Sequence, residues 1–255
     1  MVEINLKGRV AVVTGASSGI GAETARVMAQ CGARVLVTGR DRSRLDATVA
    51  EIEADGGQAF AVTADLADAA GATRIANAAA DFSEAVDILA LPAGHLALSS
   101  FAQTTVATLD EMWAVHVRAP YLLTQALLPR LSEGASVLFY SSTVAQVGFA
   151  PYSAYSAAKG AVEALARSLA IELAPKVRVN VIAPGFVATT MLTDLYDGAP
   201  DLEAGIVART PVGFLDGPKP VAYLAAYLAS DFGRYVDGTR IVVDGGWMAQ
   251  GWQTG

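Results

Sequence analysis

Tyr155 and Lys159 stand four residues apart in "YSAAK", so on a helix the phenol and the ammonium leave one face a turn apart. An ammonium beside a phenol favours the phenolate and lowers a tyrosine pKa from its ordinary value of about 10. Such a pair can move a proton near neutral pH. Tyr152 has no such partner, because Ser156 occupies the corresponding place. Taken alone, the pair also fits a lysine lying along a helix over a packed ring, and the remainder of the chain decides between the two.

A second constellation lies near the start. Thr14-Gly15-Ala16-Ser17-Ser18-Gly19-Ile20-Gly21 follows a short apolar run and precedes the helical stretch "AETARVMAQ". Strand, glycine turn and helix is the order a dinucleotide site needs. Gly15 permits the tight turn, Gly19 and Gly21 let a pyrophosphate approach the backbone, and free N–H groups at the helix start attract its charge. The spacing T-G-x-x-x-G-x-G is a variant of the general G-x-G-x-x-G fingerprint. The same residues also spell G-x-S-x-G, the nucleophile elbow of hydrolases, with Ser17 as nucleophile. Chain order opposes that reading: an elbow follows several strands and its histidine comes late, whereas Ser17 follows the first run and the only histidines, His95 and His116, lie mid-chain. Two histidines and a single cysteine, Cys31, offer no zinc spacing, so no metal is expected.

The second apolar run ends Val37-Thr38-Gly39-Arg40-Asp41-Arg42. An acidic residue at this strand tip would bind a ribose 2′-hydroxyl, as NAD sites require, whereas an arginine pairs with a 2′-phosphate. Gly39 and Arg40 therefore point to NADP(H) over NAD(H). Asp65, followed by Leu66, closes the third run, where its carboxylate would contact the adenine or cap the next helix.

Seven short runs rich in Val, Ile and Leu must position these groups: "RVAVVTG", "ARVLVTGR", "QAFAVTAD", "VDILALPAG", "ASVLFYSS", "VRVNVIAPG" and "RIVVDGG". Alanine-rich stretches of helical length, among them 19 to 31, 41 to 55, 102 to 131 and 152 to 174, lie between most of them. This alternation predicts one doubly wound α/β domain of the Rossmann type, over residues 1 to 255, with a seven-stranded parallel sheet flanked by helices on both faces. The cofactor half spans about 1 to 140 and the catalytic and substrate half about 141 to 255. Ligands in such sheets sit beyond the carboxyl ends of the strands, where the unusual residues fall.

Composition narrows the partners. The chain's 255 residues are 53% hydrophobic and only 17% charged, with 25 acidic against 18 basic side chains, which disfavours nucleic acid and anionic membrane. No apolar run approaches the roughly 20 residues of a membrane span, and one cysteine suits a reducing compartment. A soluble cytoplasmic protein is expected.

Taken in order, the motifs resemble the short-chain dehydrogenase/reductase family, in its 3-oxoacyl-carrier-protein reductase-like branch. The resemblance rests on "TGASSGIG" at 14 to 21, Asp65, Ser142, "YSAAK" at 155 to 159, "RVNVIAPGFVATT" at 178 to 190 and "VDGGW" at 243 to 247. It implies an oxidoreductase that moves hydride between nicotinamide and a carbonyl. Tyr155 would donate the proton, Ser142 would hydrogen-bond the carbonyl oxygen, and Lys159 would lower the tyrosine pKa while binding the nicotinamide ribose. Pro184, Gly185, Val187 and Thr189 match the turn that holds the carboxamide. The resemblance further implies a homotetramer, with helices 102 to 131 and 152 to 174 packed across one two-fold axis.

Two positions depart from the family pattern. Leu91-Pro92-Ala93-Gly94 stands where Asn-Asn-Ala-Gly is usual, which removes a side-chain amide and a backbone donor and leaves Pro92, Ala93 and Gly94 to line the cofactor with carbonyls. His116 occupies the place of the fourth catalytic residue, usually asparagine. Its protonation would put a second cation near Lys159, so activity is expected to fall as this histidine titrates. A segment from 190 to 213 reads as a substrate lid, and His95, Thr143, Phe149, Tyr152, Phe186 and Leu192 suggest an apolar pocket for a bulky ketone. The alternatives are an NAD-dependent secondary alcohol dehydrogenase and a dinucleotide-binding regulator without turnover.

Overall fold

In a computed structural model that describes residues 3–196 and 200–250, seven parallel strands form one sheet in the order β3-β2-β1-β4-β5-β6-β7. The strands are β1 (Val10–Val13), β2 (Arg34–Gly39), β3 (Gln58–Thr63), β4 (Val86–Leu91), β5 (Leu131–Tyr140), β6 (Val177–Pro184) and β7 (Arg240–Val243). The helices are α1 (Gly19–Gln30), α2 (Arg42–Ala54), α3 (Ala69–Phe82), α4 (Val106–Trp113), α5 (Ala119–Leu127), α6 (Ser153–Leu173), α7 (Thr190–Tyr196), α8 (Pro200–Ala208) and α9 (Lys219–Ala229).

Alternation of side chains along the strands assigns each helix to a face. Ala11, Val13, Val35, Val37, Ile88 and Ala90 point to the side packed by α1, α2 and α9, through Met28, Leu45, Ile52 and Val221 to Ala229. Val12, Leu36, Leu89, Val137, Phe139 and Val179 point to the other, covered by α3, α5 and α6 through Ile75, Leu123 and Val162. Both faces are apolar, which explains why the strands read as continuous Val/Ile/Leu runs. Small side chains on α6 and α9, such as Ala166, Ala170, Ala222 and Ala225, let these helices lie close to the sheet. The strand order reverses between β1 and β4, and the crevice of a doubly wound sheet opens there.

The helix expected over 102 to 131 departs from regularity. It comprises α4 and α5 joined through a π-turn at Ala114–Arg118, where the Ala119 N–H bonds to the Ala114 carbonyl five residues back. Pro120 gives the physical reason: it cannot donate to the carbonyl of His116 and its ring crowds that carbonyl, so the helix widens there. β5 also starts earlier than the run "ASVLFYSS", pairing Leu131 with Val86 before a register shift brings Ser136 against Ile88. The segment read as a lid holds α7 and α8; its residues 197–199 lie outside the described residues. Among the described residues no helix is long and apolar enough to cross a membrane.

Candidate active site

The turn from β1 to α1 is built by close backbone contacts. Gly15 has φ +61°, and a Cβ there would lie 2.7 Å from Ala93 Cα at the end of β4. A Cβ on Gly21 would overlap the Gly15 carbonyl, so this glycine serves the packing of α1 on its own turn as well as access to the cleft. Ser18 precedes α1 in extended conformation without capping it through its side chain, which leaves first-turn amides free to face an anion. The β4 end is held by Thr14, whose hydroxyl accepts from the Ala93 N–H at 3.2 Å. Leu91 is buried in the apolar core, so the side-chain amide missing from this position is replaced by packing, and the turn keeps its tie to β1 through Thr14.

A cleft of about 430 Å³ runs along this turn. Gly15, Ser17, Ser18, Gly19, Ile20 and Gly21 form its floor, Arg40, Asp65 and Leu66 one end, and Pro92, Ala93, Gly94 and Thr189 the far wall. Arg44, not anticipated from sequence, joins Arg40 there; it emerges from the first turn of α2, which Asp41 caps by accepting from the Arg44 N–H at 3.1 Å. Its place in the first turn of α2, five residues past the end of β2, concealed it. Asp65 accepts from the Ala67 N–H at 2.9 Å, while capping of α3 falls to Asp68, which accepts from the Ala70 N–H at 3.0 Å. Two guanidinium groups, uncapped helix amides and a glycine floor fit the phosphates and length of NADP(H).

The cleft meets a smaller chamber of about 150 Å³. Ser142 lies just beyond β5, and Tyr155 and Lys159 come from successive turns of α6, all three on its wall. Ser141 also borders the chamber, but its hydroxyl is engaged by Glu163, donating to Oε1 at 2.8 Å. Lys159 is only 5% exposed; its Nζ donates to the Tyr140 carbonyl at 2.8 Å and lies 5.5 Å from the centroid of the Tyr155 ring. Burial lowers the Lys159 pKa to about 7. Burial also raises the Tyr155 pKa above its ordinary value, although Ser142 is close enough to draw it down. The expected lowering by Lys159 is not among the influences on this phenol; loss of water around it dominates, and Tyr155 is a protonated acid at neutral pH.

His116 is 2% exposed and stands edge-on to Tyr155, in the π-turn between α4 and α5. Its Nε2 lies 2.8 Å from the His95 carbonyl, an acceptor, so Nε2 carries the proton and Nδ1 presents a lone pair, with no partner for Nδ1 among the described residues. A Cβ on Gly94 would lie 2.5 Å from its Cε1; the imidazole occupies space that only a glycine at 94 leaves open. Burial, then the charge of Lys159, holds its pKa well below the usual histidine range, against a smaller opposing effect of the bond to His95. The acid sensitivity expected from its titration is therefore displaced out of the mildly acidic range: the ring is neutral.

His95 lines both cavities, and its Nε2 is 3.1 Å from Glu111 Oε1 without the alignment of a hydrogen bond. Thr143, Tyr152, Phe186 and Leu192 line the chamber, together with Pro184, Gly185, Val187 and Thr189. Phe149 does not: its ring is taken up by Tyr152 at 4.8 Å and Phe186 at 5.7 Å between centroids, so it buttresses the wall instead of facing a substrate. Trp247, 2% exposed, completes this aromatic cluster 5.5 Å from Phe186; its motif was visible in sequence but its distance along the chain gave no sign of the contact. Val144 and Met191 also line the chamber unforeseen. No group of side chains among the described residues could hold a metal ion.

Comparison with known proteins adds an independent observation. The family described as Enoyl-(Acyl carrier protein) reductase matches residues 15–248. An uncharacterised oxidoreductase of Methylorubrum extorquens is 40% identical over 94% of this chain and 98% of its own length. An NADP-dependent (R)-specific alcohol dehydrogenase of Lentilactobacillus kefiri is 33% identical over 96% of this chain and 98% of its own. The crystal structure of a putative NAD(P)-dependent gluconate 5-dehydrogenase from Beutenbergia cavernae, with bound NADP, superimposes with a TM-score of 0.90 at 37% identity, covering 97% of this chain and 99% of that one.

Proposed function

The chain belongs to the short-chain dehydrogenase/reductase family of oxidoreductases, and from that premise we propose that it reduces a ketone bearing an apolar or bulky substituent to a secondary alcohol with NADP(H). One observation carries the proposal: Ser142, Tyr155 and Lys159 share the wall of an apolar chamber that opens onto the glycine cleft. Bound NADP(H) would supply the hydride. Tyr155, kept protonated by burial, gives its proton to the carbonyl oxygen as charge develops there. Ser142 donates a hydrogen bond to the same oxygen, and neither group needs to reorganise at that moment. Lys159, with a pKa of about 7, gains and loses a proton near neutral pH one turn from the phenol, and its ammonium form would stabilise the tyrosinate left behind. Arg40 and Arg44 favour the 2′-phosphate, and the start of α1 the pyrophosphate.

Residues 1 to 255 are read as one working unit, in the cytoplasm, assembled as a homotetramer. Exposed Val106, Leu109, Trp113 and Tyr121 along α4 and α5, with Phe101 in the turn before α4, support association through that face. Light scattering at micromolar concentration tests the assembly; a monomer would refute it. The function itself is tested by NADPH consumption over a panel of aryl, cyclic and long-chain ketones. Oxidation of secondary alcohols with NAD in place of ketone reduction would favour the dehydrogenase reading, and binding of NADPH without turnover would favour the regulator.

A further inference from the structure

Glu163 is a buried carboxylate that the reaction chemistry does not use. It lies on α6 one turn beyond Lys159 and is 3% exposed. Its Oε1 accepts from the Ser141 hydroxyl at 2.8 Å, its Oε2 from the Gln146 side chain at 2.6 Å, and Arg240 of β7 approaches Oε1 at 3.8 Å. Two donors from the turn after β5 and a guanidinium from β7 thus converge on one side chain.

The first two bracket the catalytic loop. Ser141 and Gln146 are the ends of a short turn that carries Ser142, Thr143 and Val144, all on the chamber wall. Within its own loop Ser142 is held lightly: its hydroxyl accepts a long 3.4 Å contact from the Val144 N–H, and on the chamber side it faces the Tyr155 hydroxyl. Ser141 additionally lies 3.2 Å from the carbonyl of Lys159, so its single proton is shared between the α6 backbone and the Glu163 carboxylate. α6 carries Tyr155 and Lys159, and the distance from their turn to Ser142 is set wherever the loop is fastened to the helix.

A buried carboxylate is an expensive way to pack a helix. Replacing buried charged groups by apolar ones of similar volume is often neutral or stabilising. Elsewhere on the same helix the face toward the sheet is made of Val162, Ala166 and Ala170. We infer that Glu163 is a positioning residue, which fastens both ends of the Ser141–Gln146 loop to α6 and so holds Ser142 in register with Tyr155 and Lys159. This inference rests on the ketoreductase reading for its catalytic consequence, and on the hydrogen bonds alone for its structural one.

The test compares wild type with Glu163→Leu and Gln146→Leu, following amide hydrogen exchange, melting temperature, NADPH binding by fluorescence, and kcat and KM. In Glu163→Leu the Ala145 to Val147 amides should exchange at least about tenfold faster, with the central strands unchanged. kcat should fall about tenfold or more while NADPH affinity changes less than about twofold, because misplacement of one catalytic group strikes the chemical step. The melting temperature should stay within a few degrees of wild type, since Gln146 and Arg240 reach solvent and the Ser141 hydroxyl keeps the Lys159 carbonyl as acceptor. Gln146→Leu alters an exposed side chain that cannot abolish folding, and it should shift exchange and kcat in the same direction by about threefold. Unchanged loop exchange in both variants, or an unchanged kcat with wild-type turnover present, overturns the inference. If wild type reduces no ketone, the proposed function fails by itself, and loop exchange still decides whether Glu163 fastens the loop.

Discussion

The ring of His116 meets that of Tyr155 edge to face, with centroids 5.2 Å apart and planes at 87°. The contact places a neutral imidazole against the proposed acid, and its neutrality follows from burial and from the charge of Lys159. A histidine whose folded pKa lies below its unfolded value of about 6.5 leaves the unfolded chain to take up the proton first as pH falls. Folding stability therefore declines below about pH 6.5, by at most about 1.4 kcal/mol per pH unit for this group. His116→Asn should flatten that decline, with His95, also lowered by burial, contributing the remainder. Thermal melts of the two proteins between about pH 7 and 5 check this; parallel curves would show that His116 takes up its proton equally in the folded and unfolded chains.

Lys159 carries the opposite signature. Its folded pKa of about 7 is far below the ordinary lysine value, so between the two the unfolded chain holds more protons and stability rises with pH. Lys159→Met should abolish turnover yet stabilise the cofactor-free protein at neutral pH by about a few kcal/mol, read as a higher melting temperature. The gain should shrink toward about pH 10 as the unfolded lysine also loses its proton. A variant less stable than wild type at pH 7 would mean that the bond to the Tyr140 carbonyl outweighs desolvation.

Cofactor choice is predicted to rest on Arg40, with Arg44 in support. Arg40→Asp exchanges a phosphate-pairing cation for an acceptor of a ribose hydroxyl, and should reverse a preference for NADPH into one for NADH, by about tenfold or more in kcat/KM. Wild-type enzyme that already works better with NADH would contradict the assignment.

The parts of the site that could be read from sequence are those whose chemistry is local. The Tyr155–Lys159 spacing needs only a helix, and the glycine turn only a strand and a helix start, so both are recognisable without tertiary information. Strand number and the parallel, doubly wound sheet follow from the alternation of apolar runs with helices, whereas the order of the strands within the sheet does not. What was not legible depends on contacts made across the chain. Trp247 reaches Phe186 only because β7 lies beside β6. Phe149 is drawn from the substrate wall into that same aromatic cluster. The π-turn at His116 arises from Pro120 acting on a carbonyl one turn back, and the direction of the Tyr155 shift from burial that spacing alone does not reveal. Glu163 looked like one more charge on an alanine-rich helix, because its donors come from the turn after β5 and from β7.

The role of Tyr155 as the acid of a ketone reduction is decided by Tyr155→Phe assayed for both turnover and NADPH binding. The variant keeps the ring that packs against His116 and Tyr152 and removes only the proton. Turnover should fall by at least about a hundredfold, the scale of general acid catalysis, with NADPH affinity within about twofold of wild type. Turnover retained at near the wild-type rate, with the cofactor bound as before, would contradict the account.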